Sequence, residues 1–404
     1  MMTNHITFYQ FCSAVRRKGA LALCLALCVL GLGLSGSAQK PRMITFDVTP
    51  TPPDPPPGTE AGQGTIPQAI NPAGAITGYY FDASNVSHGF LRARDSRFTT
   101  FDAPGAGTGA YQGTYAYSIN PAGATTGGYT DASDVNHGFL RTPDDTITPF
   151  DVTTPTPPDP LPGTEAGQGT IGANINPAGE ISGWYIDASG VWHGFLRAPD
   201  GKFTTFDAPG ANTNPGYGTA PGDVQCLNPA GATTGGYEDA HGREHAFIRA
   251  PDGRFTEYEA PGASTSPYQG TFFGSINPAG AVSGFYWDTS NVFHALLRDP
   301  DGRITKFDVR GAGKGPYQGT LATNLNPTTA ITGYYTDSGN VNHGFVRAPD
   351  GAITKFDVRG AGTGAGQGTI PYCNNPAGAI TGWYVDASGV SHGFLRPAGP
   401  PWIW

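Results

Sequence analysis

Histidine, aspartate, tyrosine and arginine, residue types suited to acid–base chemistry, recur in this chain at fixed spacing. His193 follows Tyr185 by eight residues and precedes Asp207 by fourteen. Equivalent histidines stand at His88, His137, His245, His294, His343 and His392. General acid–base catalysis needs one constellation with a tuned pKa, so seven equal copies indicate a scaffold. We predict that His193 and Asp207, with nearby Thr or Ser hydroxyls, form a buried hydrogen-bond network in each repeat, and we predict no catalytic residue.

The position before the repeated tyrosine varies and is aromatic in five repeats. Its occupants are Tyr79, Gly128, Trp184, Gly236, Phe285, Tyr334 and Trp383. Packing of bulky against small residues between repeats is the favoured explanation. The alternative is a set of platforms on which sugar rings or aromatic peptide segments stack, because planar side chains recognise ligands at low entropic cost. The candidate stacking residues are Tyr79, Trp184, Trp192, Trp287, Tyr334 and Trp383.

Two groups of residues could in principle bind metal. The turn from Asp187 to Gly190 presents oxygen ligands for calcium, but it lacks the dense Asp alternation and closing Glu of an EF-hand loop. His241 and His245 flank another turn with Glu238 and Glu259 nearby in sequence, yet zinc needs three or four converging ligands. Asx-type turns and a solvated hairpin explain these residues without metal. We therefore predict neither a metal site nor a cofactor.

The elements that position these side chains repeat with a period near 50 residues. In the third repeat, turns at Asn176-Pro177-Ala178-Gly179, Asp187 to Gly190 and Ala198-Pro199-Asp200-Gly201 divide four short apolar stretches. Turns this short force sequential antiparallel pairing. No segment has the 3.6-residue periodicity of a helix. We predict an all-β fold, a seven-bladed β-propeller of four-stranded antiparallel blades.

The ends of the repeat array predict how the ring closes. A fourth-strand signature, Phe-Asp or Tyr-Glu, follows every repeat except the last, and its extra copy is Phe46-Asp47. We predict that Met43 to Val48 supplies the outer strand of the last blade and closes the ring. Cys226 and Cys373 occupy the same position in the fourth and seventh repeats, almost opposite each other in such a ring, and are predicted to be free thiols.

The chain is divided into three parts by composition. Residues 1–38 carry three basic residues, an apolar run of about 16 residues and a small-residue cleavage region, as in a secretory signal peptide. Residues 39–397 form the predicted propeller, and 398–404 a short tail. Without the leader, 20 basic and 32 acidic residues leave a net charge of −12. We predict a secreted protein, extracellular or periplasmic, that is monomeric, does not bind nucleic acid and is not inserted in a membrane in its mature form.

His-Gly-Phe in five repeats, with His245-Ala246-Phe247 and His294-Ala295-Leu296 in the others, follows an Asn-Pro turn and a Gly-x-Tyr-x-Asp strand. With these motifs the chain resembles the HAF-repeat family of bacterial extracellular proteins over nearly all of residues 43–396. The resemblance implies a secreted, propeller-like repeat protein without an established activity. We predict a binding or surface-interaction module for carbohydrate or protein, and not an enzyme. An extracellular polysaccharide lyase or hydrolase and a structural component of the cell envelope are the alternatives.

Overall fold

A computed structural model describes residues 42–153, 159–222 and 224–399. The predicted signal peptide, and residues 400–404 of the predicted tail, lie outside this described part. The fold is all-β: 28 strands and no helix occur in the described ranges. The first half of the chain contains β1 (Ile44–Phe46), β2 (Gly64–Ile70), β3 (Ile76–Phe81), β4 (Ser87–Arg92), β5 (Phe98–Phe101), β6 (Gly113–Ile119), β7 (Thr125–Thr130), β8 (Asn136–Arg141), β9 (Ile147–Phe150), β10 (Gly169–Ile175), β11 (Ile181–Ile186), β12 (Trp192–Arg197) and β13 (Phe203–Phe206).

The second half of the chain continues the same pattern. Its strands are β14 (Thr219–Pro221), β15 (Thr233–Glu238), β16 (Glu244–Arg249), β17 (Phe255–Tyr258), β18 (Thr271–Ile276), β19 (Val282–Trp287), β20 (Phe293–Arg298), β21 (Ile304–Phe307), β22 (Gly319–Leu325), β23 (Ile331–Thr336), β24 (Asn342–Arg347), β25 (Ile353–Phe356), β26 (Gly368–Asn374), β27 (Ile380–Val385) and β28 (Ser391–Arg396).

The strands pair antiparallel in groups of four, which we call blades and number along the chain. Blade 1 is β2 to β5, and the following blades take the next strands in order. The last group contains β26, β27 and β28, and its fourth strand is β1, which pairs with β28 through Ile44↔Leu395 and Phe46↔Gly393. The two ends of the described chain therefore share one sheet.

Neighbouring blades are joined at the same place each time. The glycine that begins a first strand bridges the residue that begins the third strand of the preceding blade, because only a residue without Cβ lets the two backbones approach this closely. The bridges are Gly64↔Ser391, Gly113↔Ser87, Gly169↔Asn136, Gly218↔Trp192, Gly270↔Glu244, Gly319↔Phe293 and Gly368↔Asn342.

The repeated arginine packs between blades. Arg92 of blade 1 lies over the ring of Phe46 in β1 at 4.8 Å, and Arg141 of blade 2 lies over Phe101 of blade 1 at 4.9 Å. Equivalent pairs are Arg197 over Phe150, Arg249 over Phe206, Arg298 over Tyr258, Arg347 over Phe307 and Arg396 over Phe356. Such cation–π contacts explain why the phenylalanine of the fourth-strand signature recurs with the arginine of the third strand.

The end of the blades that carries the Asn-Pro turns is bound together by asparagine, and we call it the Asn face. In six of the seven blades the side-chain Nδ2 donates to the backbone carbonyl of the equivalent asparagine in the next blade at 3.1–3.4 Å. The donor and acceptor pairs are Asn71 to Asn120, Asn120 to Asn176, Asn176 to Asn228, Asn277 to Asn326, Asn326 to Asn375 and Asn375 to Asn71. The last of these joins residues 304 positions apart, from the last blade to the first.

Candidate functional site

The opposite end of the blades, which we call the loop face, carries two kinds of connection. One is the tight turn between the second and third strands, such as residues 187–191, and the other is the longer link from a fourth strand to the next first strand, such as residues 308–318. Hydrogen bonds between the two kinds of connection set their relative position. The candidate functional residues of this chain lie at this face.

The predicted pairing of histidine with a carboxylate is present, but the predicted burial is not general: the His193 side chain is 7% exposed, whereas His392 and its partner Asp47 are 23% and 49% exposed. In blade 3, His193 Nδ1 lies 2.9 Å from Asp207 Oδ2, Nε2 lies 3.6 Å from Asp187 Oδ2, and the ring stacks on Tyr185 with centroids 4.9 Å apart. All seven repeats have this arrangement. In the last repeat the carboxylate partner of His392 is Asp47. The threonine hydroxyls act nearby on the backbone: the Ala208 N–H donates to Thr219 Oγ1 at 2.8 Å.

The network changes the pKa of its members. Burial lowers the pKa of His193, but the hydrogen bond and charge of Asp207 and the charge of Asp187 outweigh burial and raise it above its ordinary value. For His137 the hydrogen bond that Nδ1 donates to Asp151 is the largest cause of the raised pKa. An imidazolium between two carboxylates suits the geometry of blade 3: Nδ1 donates to Asp207, while Asp187 lies 3.6 Å from Nε2 and acts through its charge. The network links neighbouring strands in every repeat, as predicted.

The six aromatic residues predicted as stacking platforms all pack on other aromatic or apolar side chains, of their own blade or of the next one. Tyr79 and Trp184 have only 2% and 5% of their surface exposed, so neither presents a ring face to a ligand. Tyr79 packs edge-on against Tyr115 of the next blade with centroids 5.1 Å apart. Trp192 stacks on Trp184 at 6.1 Å. Packing therefore accounts for these two positions, and a stacking role for Tyr79 and Trp184 is corrected.

The other four predicted platforms are partly exposed, and each also packs on a neighbour. Trp192 covers Trp184, Trp287 lies 5.3 Å from Phe293, and Trp383 lies 5.3 Å from Tyr372. Tyr334 packs against a cluster formed by Phe285, Phe293 and Leu321. A ligand role for Trp192, Trp287, Trp383 and Tyr334 stays a prediction, since part of each ring reaches the surface.

Three tyrosines that the sequence analysis did not select are the most exposed aromatic residues of the loop face. Tyr111, Tyr268 and Tyr317 have 68%, 54% and 53% of their surface exposed. Their backbones are left-handed, with φ of 66°, 61° and 62°. The equivalent positions in the other four blades hold glycine with positive φ, namely Gly62, Gly167, Gly216 and Gly366.

The left-handed conformation at this position is imposed by the fold. The Tyr317 N–H donates to the carbonyl of Asn291 in the adjacent turn at 2.7 Å, and Tyr111 and Tyr268 make the same bond. Glycine adopts this conformation freely, whereas a residue with Cβ is destabilised by about 1 kcal/mol. Tyr111 contacts Phe81, and Tyr268 stacks on Tyr217. The backbone cost, together with a residue that stays more than half exposed, favours a role in recognition. The sequence does contain a signal for these tyrosines: three repeats have Tyr-Gln-Gly-Thr where three others have Gly-Gln-Gly-Thr.

Blade 4 holds a carboxylate pair found in no other repeat. Glu238 and Glu244 are directly opposite each other at the loop-face end of β15 and β16. Glu244 occupies space left by Gly236, where a Cβ would lie 2.0 Å from its Oε1. Burial is the largest cause that raises the pKa of Glu238 to about 7 and the pKa of Glu244 well above its ordinary value. One carboxyl of the pair can therefore hold a proton near neutral pH.

Two tyrosines lie beside this pair. The rings of Tyr217 and Tyr268 stack with centroids 5.9 Å apart, and their hydroxyl oxygens are 2.6 Å apart. The hydrogen bond with Tyr268 is the largest cause that raises the pKa of Tyr217 to about 12, and the charge of Glu238 contributes to the rise. Blade 4 thus combines a carboxylate pair with paired phenols.

The residues of the rejected zinc site do not converge. The His241 side chain is 89% exposed with Nδ1 3.8 Å from Asp239, while His245 is bound between Asp239 and Glu259. Within the described residues, no group of three or more His, Cys, Asp or Glu side chains is arranged to hold a metal ion. Arg243 donates to Glu259 at 2.7 Å, so Glu259 contacts both Arg243 and His245.

As predicted, neither Cys226 nor Cys373 forms a disulfide, and both are buried. Their surroundings differ, because the segment from Gly218 to Asn228 has eleven residues where every other blade has eight. The extra length carries Val224 into a cluster with Ile70 and Tyr372 of other blades. It also places Gln225 Nε2 3.3 Å from Cys373 Sγ, across 148 positions of sequence. Blade 4 therefore reaches across the middle of the molecule.

No protein-family model and no curated protein matches the sequence. The structure is similar to virginiamycin B lyase from Staphylococcus aureus, at 15% identity and a TM-score of 0.50, over 88% of this chain and 100% of that one. A catalytically inactive variant of this lyase with quinupristin gives the same score, over 88% and 99%. The BP39L lectin from Burkholderia pseudomallei is similar at 10% identity and a TM-score of 0.50, over 81% and 93%.

These similarities correct the prediction that the chain is not an enzyme. A lyase has this fold as well as a lectin, and blade 4 holds a carboxylate pair, Glu238 and Glu244, that no other repeat has. Across the described ranges, no helix has the length and apolar character to cross a membrane. At these identities the similarity shows the fold alone: the chain is an all-β protein with propeller neighbours.

Proposed function

We propose that this chain forms a closed, seven-bladed propeller that binds carbohydrate at its loop face. Closure is supported by the pairing of β1 with β28 and by the hydrogen bond from Asn375 to Asn71. The seven glycine bridges support the blade number, since each joins one blade to the next and Gly64↔Ser391 joins the last to the first. Secretion, a monomeric state and membership of the HAF-repeat family are parts of the same proposal.

The observation that carries the binding role is the set Tyr111, Tyr268 and Tyr317. Each ring is more than half exposed on a backbone that glycine would adopt without strain. Exposed, rigid aromatic rings on one face suit stacking on the apolar faces of sugar rings. The similar BP39L lectin has a fold of the same class, which supports carbohydrate binding without identifying a ligand. Protein recognition through the same rings is the competing outcome.

The test replaces each tyrosine by glycine, the residue that four blades already use there. The mature chain and the three single variants are applied to a glycan array and to soluble extracellular polysaccharides. We expect each substitution to weaken binding about tenfold, near the 1.4 kcal/mol of one stacking contact. Leu161→Ser, which removes an exposed apolar side chain from another loop, is the control and should bind as the parent chain does. Binding that is equal in all variants would refute the tyrosine platform.

A second candidate function is favoured by the carboxylate pair of blade 4. Two carboxyl groups, one protonated and one ionised near pH 7, can act as acid and base on a sugar chain bound beside Tyr268. The measurement is release of reducing ends, or of unsaturated ends, from each polysaccharide that binds. Loss of release in Glu244→Gln with binding retained would support catalysis. Release that persists in both Glu238→Gln and Glu244→Gln would exclude this pair.

A further inference from the structure

Blades 5 and 6 carry a basic patch, which we define as Lys306, Arg310, Lys314, Lys355 and Arg359. The segment from the fourth strand to the next first strand occurs seven times in the chain. These five residues are the only Lys or Arg in all seven copies, although the whole chain has a net charge of −9. All five are exposed. Positive charge is therefore concentrated in one sector of the loop-face rim.

Two lysines of the patch are held in place by backbone carbonyls. Lys306 Nζ donates to the Pro261 carbonyl at 2.7 Å and lies 5.5 Å from the centre of the Tyr286 ring. Lys355 Nζ donates to the Arg310 carbonyl at 3.1 Å and lies 5.6 Å from the centre of the Tyr335 ring. These contacts orient the ammonium groups but do not neutralise them.

Exposed cations elsewhere in the chain are treated differently. Arg97, Lys202 and Arg254 each pair with the aspartate two positions earlier, at 2.7–3.0 Å. Among the described residues, no member of the basic patch forms an ion pair with a carboxylate. The chain therefore keeps five positive charges available at this rim, while carboxylates neutralise Arg97, Lys202 and Arg254 at other turns.

A pocket of about 640 Å³ lies beside the patch. Its wall includes Ser290, Arg310 and Lys314, and also Asp288 and Asp308, whose carboxylates both contact His294. This volume is in the range of small-ligand sites, roughly 300–1,000 Å³. The Ser290 hydroxyl suits a sugar hydroxyl, and Arg310 and Lys314 suit an anionic substituent. Tyr317, three residues beyond Lys314, supplies an exposed ring at the same connection.

We infer that the basic patch and its pocket bind a carboxylate-bearing sugar chain, a uronate polysaccharide, with Lys314 and Arg310 at the anionic groups and Tyr317 against a sugar ring. This inference rests on the proposed carbohydrate-binding function and names its ligand class. A chain of uronates fits better than a single sugar acid, because the charges extend over two consecutive connections. Arginine recognises a carboxylate through two parallel hydrogen bonds, and exposed charges act within about 10 Å at 0.1 M salt.

The experiment measures binding of polygalacturonate oligosaccharides and of the same oligosaccharides with methyl-esterified carboxyls, at 20 and 200 mM NaCl. The unchanged chain should bind the acid form at least tenfold more tightly than the ester, and the preference should shrink at high salt. The variant Lys314→Thr/Arg359→Gln should lose this preference and keep its affinity for the ester. Threonine occupies the position of Lys314 in all six other connections, so the variant should fold normally. These residues are Thr59, Thr108, Thr164, Thr213, Thr265 and Thr363.

The outcomes separate this inference from the broader proposal. Equal affinity for acid and ester in the unchanged chain, or a preference that survives in Lys314→Thr/Arg359→Gln, would overturn the uronate inference while carbohydrate binding stands. If Tyr317→Gly binds both forms as the parent does, the placement of Tyr317 against a sugar ring fails together with the tyrosine platform, while the assignment of the basic patch to the carboxylates stands. Binding of duplex DNA or of phosphatidylglycerol vesicles as tight as that of polygalacturonate would show a general anion surface and would also overturn the inference. A melting temperature within 2 °C of the parent value is required of each variant.

Discussion

The Asn face and the loop face of the same blades differ in how far their residues repeat from blade to blade. At the Asn face, all seven repeats carry the same Asn-Pro turn, and the asparagine side chains join one blade to the next. At the loop face, one position holds tyrosine in three repeats and glycine in four, one blade holds a carboxylate pair, and two hold the basic patch. Residues that repeat bind the scaffold together, and residues that differ between repeats are the candidates for recognition.

The strongest test of the scaffold removes its N-terminal strand. Deletion of residues 42–48 takes away β1, the Asp47 partner of His392 and the Phe46 ring under Arg92. Loss of a phenylalanine at such a contact alone destabilises by about 3 kcal/mol. We expect the melting temperature to fall by roughly 5 °C or more in differential scanning calorimetry. A melt identical to that of the parent would mean that the last blade does not depend on β1.

A matched pair of substitutions compares the two ends directly. Asn326→Ala removes the donor to the Asn375 carbonyl and the acceptor of the Ala330 N–H, which should cost about 2 kcal/mol without changing glycan binding. Tyr317→Gly should do the reverse, weakening binding while it raises stability by about 1 kcal/mol through relief of the left-handed conformation. Chemical denaturation and glycan titration measure the two quantities. Stability that falls in both variants would remove the distinction between the ends.

The histidine network predicts a dependence of stability on pH. A raised histidine pKa in the folded state contributes stability below the unfolded pKa of about 6.5, and that stability is lost as pH rises through the folded pKa. The lowered pKa of Asp131 and of Asp386 acts oppositely: the stability that it contributes is lost in acid, below about 4. The melting temperature should therefore be highest between about pH 4 and 6.5. His193→Gln should flatten the decline above pH 6.5, and an unchanged slope would contradict this account.

The smallest effect is expected at the blade 4 pair. The pKa of Glu238 is raised to about 7, so the stability linked to its protonation is present below its ordinary pKa and lost as pH rises through 7. Glu238→Gln cannot ionise and should melt about 2 °C above the parent at pH 8, with a smaller difference at pH 5. Thr130→Ser, at the equivalent position of blade 2, is the control and should show no such pH dependence. The opposite sign at pH 8 would mean that the carboxylate is stabilised by contacts rather than destabilised by burial.

Much of the fold was predictable because its information is local. Turn residues at fixed intervals define the four strands of each repeat, and the 14-residue spacing of His193 and Asp207 brings them together across one hairpin. The candidate site was less predictable. Some of the aromatic residues before the repeated tyrosine pack in the interior. Their burial could not be predicted, because in a two-sided sheet apolar character does not distinguish a buried face from an exposed one. The sign of φ at Tyr111 could be inferred only by comparing it with glycine in other repeats.

By itself, the sequence determined the all-β class, the four-stranded unit, the His–Asp fastening and the displaced strand at Phe46, because each depends on short-range spacing or on counting copies. Only the tertiary structure decided that the repeated arginine packs on the preceding blade, that Tyr217 meets Tyr268 across 51 positions, and that Gln225 reaches Cys373. These contacts depend on how far each blade is turned from its neighbour. That angle comes from the packing of whole sheets, and no local pattern of residues encodes it.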